Sequence, residues 1–249
     1  MTTQEFSNSI DTLLNSYSIP AEFGDTSSKY DIVLDEYEKS MFLTQAQDII
    51  VKTYFDGTVT GLGADDSIRR QIDFSNLITV YKTSTTKDPD SYDDRAVIAN
   101  LPSNLLFMLN EKLTVTSGGL SKLYVVKPIS YEEFDRNMAK AYAQPLKKQC
   151  WRLFEDGNTT GLKAEIIPID GVLAAGDSAE YKIRYIRRPK PIIVADLSAT
   201  GLDIDGENGI SECELHPVIH SDILMKAIEL ILSTRQRYQQ PTQQKQSNQ

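Results

Sequence analysis

Cys213, His216 and His220 form a C-x2-H-x3-H array, and with Cys150 they use every cysteine and histidine in the chain. Such a ligand set would hold zinc tetrahedrally, in a closed and therefore structural site. The paired C-x-x-C spacing of most structural zinc sites is missing. The competing reading therefore carries more weight: His216 stands beside Pro217 at a helix start, His220 lies one turn on, and Cys213 packs as a small apolar residue. Neither a metal nor any other cofactor is expected.

Other chemical motifs fail on inspection. DIDGEN (203–208) has the look of a calcium loop, yet the glycine required at its sixth place is Asn208. A polar turn with at most weak affinity for a hard cation is the expectation. The glycine-bearing stretches that follow Asp56 and Asp156 lack the G-x4-G-K-[ST] pattern that cradles phosphates, and no G-x-S-x-G elbow occurs. A Ser or Cys triad would have to draw on the one clustered histidine pair. No catalytic residue is assigned, and the chain is not read as an enzyme.

Residues 184–194 read RYIRRPKPIIV, with four cations and two prolines. Gripping single-stranded nucleic acid wants aromatics interleaved with cations, and only Tyr181 and Tyr185 qualify. Alternation instead places Tyr181, Ile183 and Tyr185 on one face of a strand and Lys182 and Arg184 on the other. Pro189 and Pro191 then impose extended geometry and stop the ladder. A stiff cationic arm leaving a sheet is a natural subunit contact, which makes Arg184, Arg187, Arg188 and Lys190 candidate interface residues.

Charge supports protein docking over general duplex binding. The net charge is −9, and residues 1–66 alone hold twelve acids against three lysines. Two basic segments, 136–152 and 182–190, carry cations and no acids. Acidic and basic segments on one chain suit self-association or a charged partner, whereas nonspecific DNA binding wants an overall basic face. No apolar run approaches the roughly 18 residues of a membrane span, so no membrane contact is expected. The first residues, MTTQEFSNSIDTLLNS, lack the cationic and apolar blocks of a signal peptide. Two cysteines fit a reducing cytoplasm or a protein indifferent to redox. A chain of 249 residues buries roughly 70–75% of its unfolded surface without staples, as one domain or two.

The elements that must position these residues follow from period and punctuation. Thr2 and Glu5 form a capping box ahead of Phe6, Ile10, Leu13, Leu14 and Tyr17 at helical spacing, with Pro20 and Gly24 ending the helix. Asp35 with Glu38 caps a second helix, whose Tyr37, Met41, Ala46, Ile49, Ile50 and Tyr54 make an apolar stripe. A third, shorter helix is expected from Asp65. AVIANLP (96–102), LTVT (113–116) and LSKLYVVKPI (120–129) read as strands, the last two joined through SGG. Ser130 caps a short inserted helix against Glu133. CWRLF (150–154), LKAEIIPI (162–169) and AEYKIRYI (179–186) then read as antiparallel strands. Leu215, Ile219, Ile223, Ala227 and Ile231 announce a long C-terminal helix with Pro217 in its first turn, and Ile219 and Ile223 join the interface candidates. The expected fold is α+β: an acidic helical region over 1–80, an antiparallel sheet region with its inserted helix and the terminal helix over 81–236, and a disordered or assembly-ordered tail over 237–249.

Three parts of the chain carry a family resemblance: LDEYEKSMFLTQAQDIIVK (34–52), LYVVKPISYEEFDRN (123–137), and RYIRRPKPIIVADL (184–197) followed by CELHPVIHSDILMKAIEL (213–230). Together they resemble head-to-tail ring or adaptor proteins of crAss-like and related Bacteroidetes tailed bacteriophages. The resemblance implies a virion structural protein assembled in the host cytoplasm. It implies a homo-oligomeric, dodecameric ring that meets the portal protein and neighbouring tail or ring proteins, with genomic DNA passing through its channel without specific binding. The alternative class is a nucleic-acid-binding or packaging accessory protein, whose basic segments would contact phosphates.

Overall fold

Capping boxes set the helix starts. The computed structural model describes residues 1–17, 33–56, 74–87, 91–140, 142, 144, 146, 148–156, 161–168 and 177–243. Helix α1 spans Thr3–Tyr17. The Glu5 N–H donates to Thr2 Oγ1 at 3.3 Å while the Thr2 N–H donates to Glu5 Oε2 at 2.8 Å. Helix α2 spans Glu36–Asp56, with the Glu38 N–H on Asp35 Oδ1 at 2.7 Å and the Asp35 N–H on Glu38 Oε2 at 3.2 Å. Helix α3, Tyr131–Met138, has the same reciprocal cap between Ser130 and Glu133. Helix α4 spans His220–Gln243 after a short 3-10 turn, Pro217–Ile219. Its helical backbone continues through 237–243, within the stretch expected to be disordered or ordered only in an assembly. The expected helix from Asp65 and the breakers Pro20 and Gly24 lie outside the described residues.

The chain divides into two compact units, Met1–Leu77 with Pro189–Gln249, and Ile78–Arg188. In the first, α4 packs with both α1 and α2. Phe6, Ile10 and Leu14 of α1 are fully buried at i, i+4, i+8, and Leu215, Ile219, Ile223, Ala227 and Ile231 are all buried on one stripe. Full burial of each large apolar side chain contributes about 1.5–3 kcal/mol. Helix α2 differs from its expected stripe. It buries Ser40, Thr44 and Gln47 beside Leu43 and Ile50, while Tyr37, Met41 and Ile49 are half-exposed.

The second unit is a seven-stranded sheet of β1 (Ile78–Ser84), β2 (Val97–Asn100), β3 (Leu105–Ser117), β4 (Leu120–Pro128), β5 (Gln149–Asp156), β6 (Leu162–Pro168) and β7 (Ser178–Arg187). Their order is β1-β7-β3-β4-β5-β6-β2. The β3–β4 hairpin turns on Gly118 and Gly119, whose φ of 56° and 81° is the left-handed conformation that a two-residue type I′ loop demands. A Cβ at either glycine would meet nothing within 4 Å, so conformation and not space selects glycine.

The α+β class stands, but the sheet is mixed: β4 and β5 run parallel. The reason is the inserted helix. A strand followed by a helix returns as a parallel neighbour, and α3 is that crossover. It packs Phe134 over Trp151, Leu153, Ile167 and Ala96 on the outer face of the sheet. Thr86, just past β1, bridges Ile98 of β2 in both directions (2.9 and 2.7 Å), so the two edge strands meet and the sheet curls closed. Seven strands cannot close with every pair antiparallel, and the single parallel pair supplies the missing parity. Leu113, Tyr124, Val126, Cys150, Ala164, Ile166, Tyr181 and Ile183 fill the inside.

Candidate functional site

Strand β7 places the candidate cations by simple alternation. Tyr181, Ile183 and Tyr185 point into the sheet core and are buried, and Lys182 and Arg184 are exposed on the outer face. Arg184 stands in register between Val80 of β1 and Asn110 of β3. Arg187 closes the strand opposite Leu105 and is half-buried. Arg188 is exposed, its N–H donating to the Asn104 carbonyl at 2.7 Å.

At Pro189 the chain enters the helical unit. Pro189, Pro191, Ile192, Ile193 and Val194 are buried there, and only Lys190 of the stretch 189–194 is exposed. Polar side chains on one face of α2 bond this extended segment as a neighbouring strand would. Gln47 Nε2 donates to the Lys190 carbonyl at 2.8 Å, Thr44 Oγ1 accepts the Ile192 N–H at 3.1 Å, and Ser40 Oγ accepts the Val194 N–H at 3.0 Å. Helix spacing of 40, 44 and 47 meets strand spacing of 194, 192 and 190. The expected arm is therefore half structural: its apolar residues belong to the subunit's own core, and its cations reach solvent.

Ile219 and Ile223 do not offer a surface to a partner. They are 1% and 0% exposed, because the apolar stripe of α4 is consumed within the helical unit.

The cysteines and histidines are also used locally. Cys150 is fully buried among the sheet-core side chains. Cys213 Sγ donates to Gln47 Oε1 at 3.4 Å, and burial pushes its thiol up to about 11. His216 Nδ1 accepts the Val218 N–H as a helix cap. His220 Nε2 donates to the Leu215 carbonyl at 3.0 Å, Nδ1 meets the Met1 amino nitrogen at 2.6 Å, and burial holds its pKa below the ordinary histidine value. Among the described residues, no three His, Cys, Asp or Glu side chains converge as a metal site. The 203–208 loop is a miniature hairpin. Ile204 and Glu207 bond each other in both directions (2.9 and 3.0 Å) across Asp205 and Gly206, with φ of 53° and 82°.

Register also assembles a feature that linear reading misses. Lys82 of β1 pairs with Lys182 of β7, which pairs with Lys112 of β3, so three exposed lysines stand side by side across the outer face. Each occupies an outward place of its own strand, but a single sequence does not encode which strands are neighbours.

The chain matches the family model described as "Phage tail ring protein 3/4" over residues 1–244. It is 40% identical over 237 residues to "Ring protein 4/5" of Bacteroides phage crAss001, covering 92% of each chain. It is 31% identical over 244 residues to "Ring protein 3" of the same phage, covering 94% of this chain and 96% of the relative. These matches run through the α2 face, the curled sheet and the arm alike, and this chain belongs to the phage tail ring protein 3/4 family.

Proposed function

We propose that this chain forms a closed homo-oligomeric ring in the head-to-tail connector of a tailed phage, joining portal to tail around the DNA channel and carrying no catalytic activity. The observation that supports this most is the nearly end-to-end similarity to two crAss001 chains that are themselves named ring proteins. Nothing of substance in this chain lies outside that match. Heterologous contacts that close on themselves generate rings, and a dodecamer is the stoichiometry proposed. In this reading the exposed cations of the arm, Arg184, Arg188 and Lys190 with the half-buried Arg187, meet a neighbouring acidic surface. Complementary charge there fixes register and partner choice more than affinity. A net charge of −9 leaves the lumen free of strong DNA adhesion. Assembly takes place in the host cytoplasm before the particle is complete.

The test is location. Phage particles carrying an epitope-tagged copy, imaged by electron microscopy with a gold-labelled antibody, should show label at the head–tail junction. Label on the capsid shell or the distal tail would overturn the connector reading. Salt-titrated DNA binding provides a second arm, since a packaging accessory protein would lose affinity steeply with salt and a ring protein should bind hardly at all.

A further inference from the structure

The outer face of β1, β7, β3 and β4 combines charge with exposed apolar area. Lys82, Lys182 and Lys112 stand in one cross-strand row, and Arg184 lies in the next. Like charges directly opposite each other destabilise a sheet. Among the described residues, one ion pair relieves the row, Lys82 Nζ to Glu180 at 3.5 Å, with both side chains about half exposed. Beside the cations, Leu123 and Val125 of β4 are 51% and 50% exposed, and Val80 of β1 is 47% exposed. A cationic row flanked by bare aliphatic side chains is a surface that gains from an acidic partner with apolar residues of its own.

The chain carries such a partner. Residues 191–225 contain Asp196, Asp203, Asp205, Glu207, Glu212, Glu214 and Asp222 and no lysine or arginine. Asp203, Asp205, Glu207 and Glu212 are exposed, and so are Leu202 (41%) and Ile210 (61%). The hairpin on Asp205 and Gly206 presents these acids from ordered backbone, anchored by the Ile193–Ser211 bridge and by the Leu197 N–H on the Asn208 carbonyl at 2.8 Å.

We infer that the lysine row of one copy receives the acidic 202–212 loop of the next, giving the head-to-tail contact that repeats around the ring. The inference rests on the ring reading above. A second copy fits better than nucleic acid for two reasons. Phosphates have no use for Leu123, Val125 and Val80, and a chain of net charge −9 is repelled by DNA as a whole. The contact is heterologous, pairing two different surfaces, which is the geometry that closes into rings.

Charge exchange in a phage lacking the native gene tests the contact. The full-length chain is supplied as wild type, as Lys112→Glu with Lys182→Glu, as Asp205→Lys with Glu207→Lys, or with all four changes. Particles are examined for rings by electron microscopy, and each purified protein by circular dichroism. Either pair of reversals alone should abolish ring-bearing particles, and the fourfold variant should restore them, because the exchanged charges again attract. Should a reversal unfold the chain, Gln and Asn at the same positions replace it, and graded loss with salt-independent folding is the expected result. Loss without rescue overturns the pairing of these two surfaces. Loss from the sheet changes alone, with the loop changes tolerated, assigns the lysines to another anion such as DNA and also overturns it. Rings that form normally in both reversed variants sink this contact but leave the ring reading standing; wild-type protein absent from every ring sinks both.

Discussion

Ser40 is committed twice, its hydroxyl accepting the Val194 N–H at 3.0 Å and donating to the Glu36 carbonyl one turn back at 2.6 Å. Ser40 and Val194 are both buried, so water does not readily replace the bond between them. Helix α2 thus treats the segment 190–194 as a strand, with hydroxyls and an amide in place of a backbone ladder.

Ser40→Ala removes the acceptor and strands a buried N–H, which costs about 1–3 kcal/mol. Gln45→Ala, on the exposed side of the same helix, should stay within about 0.5 kcal/mol of wild type. Thermal unfolding of both variants checks this, and equal melting temperatures would show that the ladder contributes nothing.

The stripe on α4 was legible because five apolar residues at intervals of four leave one arrangement that buries them all. Capping boxes at Thr2, Asp35 and Ser130 were legible for the same local reason. The α2 face was not: Ser40, Thr44 and Gln47 are polar, and hydrophobic periodicity cannot see a helix whose buried side binds backbone. The parallel β4–β5 pair and the lysine row share one cause, since both depend on which strands become neighbours. Strand β1, with Val80 and Lys82 outward against half-buried Thr79, Tyr81 and Thr83, carries a weak alternation that closure of the sheet turns into an edge pairing. The cationic arm was half legible. Its prolines marked extended backbone correctly, but nothing in RRPKPIIV says that a helix will supply the missing hydrogen bonds.

Inside the sheet, Arg152 is 5% exposed and Glu111 7%. Arg152 Nη2 donates to Glu111 Oε1 at 3.1 Å, and its Nε lies 2.9 Å from Oε2 without the alignment of a hydrogen bond. Tyr181 Oη donates to Oε2 at 2.6 Å, and burial followed by the Glu111 charge pushes the phenol pKa far up. Arg152→Met alone leaves a buried carboxylate and should cost about 3–5 kcal/mol. Replacing Glu111 by Leu and Tyr181 by Phe in the same chain should recover most of that, because no buried charge or orphaned hydroxyl remains. Denaturant unfolding of the single and triple variants decides it, and additive losses would mean that the three groups act independently.

Ile223 is fully buried at the centre of the α4 stripe. Ile223→Ala should cost about 2–5 kcal/mol in unfolding free energy, and Met225→Ala, 54% exposed on the same helix, far less. An unshifted transition for Ile223→Ala would mean that the stripe packs loosely and tolerates the cavity.

His220 links stability to pH. Its pKa is lowered chiefly by burial, then by the nearby amino terminus and His216, against raising contributions from the Leu215 carbonyl and Glu5. The folded chain therefore holds this ring neutral at a pH where the unfolded chain, with histidine near its ordinary value of about 6.5, already binds a proton. The contribution is fully present above that value and is lost as pH falls through it toward the folded value. Melting temperature should drop between about pH 7.5 and 5.5, and less so in His220→Gln. Parallel pH profiles for the two proteins would show that the histidine is not the group responsible.

The cations of the arm separate a folding role from an assembly role. Arg188 and Lys190 are both exposed, and each is held in place through its own backbone: the Arg188 N–H on Asn104, the Lys190 N–H on Glu214 Oε2 at 2.9 Å and the Lys190 carbonyl on Gln47. Reversing the two side chains to Glu leaves those backbone bonds and the buried prolines untouched, so the isolated chain should keep its circular dichroism and melt within about 1 kcal/mol of wild type, the usual worth of exposed charges. Assembly should fail. On the ring contact proposed above, a reversed charge would turn attraction into repulsion at every copy, and a closed ring would repeat the penalty at each interface. Disruption of one buried charge pair at an interface already costs about 2–5 kcal/mol. Complementation of a phage lacking the gene reads the outcome: normal numbers of tailed, infectious particles would exclude these two cations from the assembly contact, and a chain that no longer folds would place them in the subunit's own stability instead.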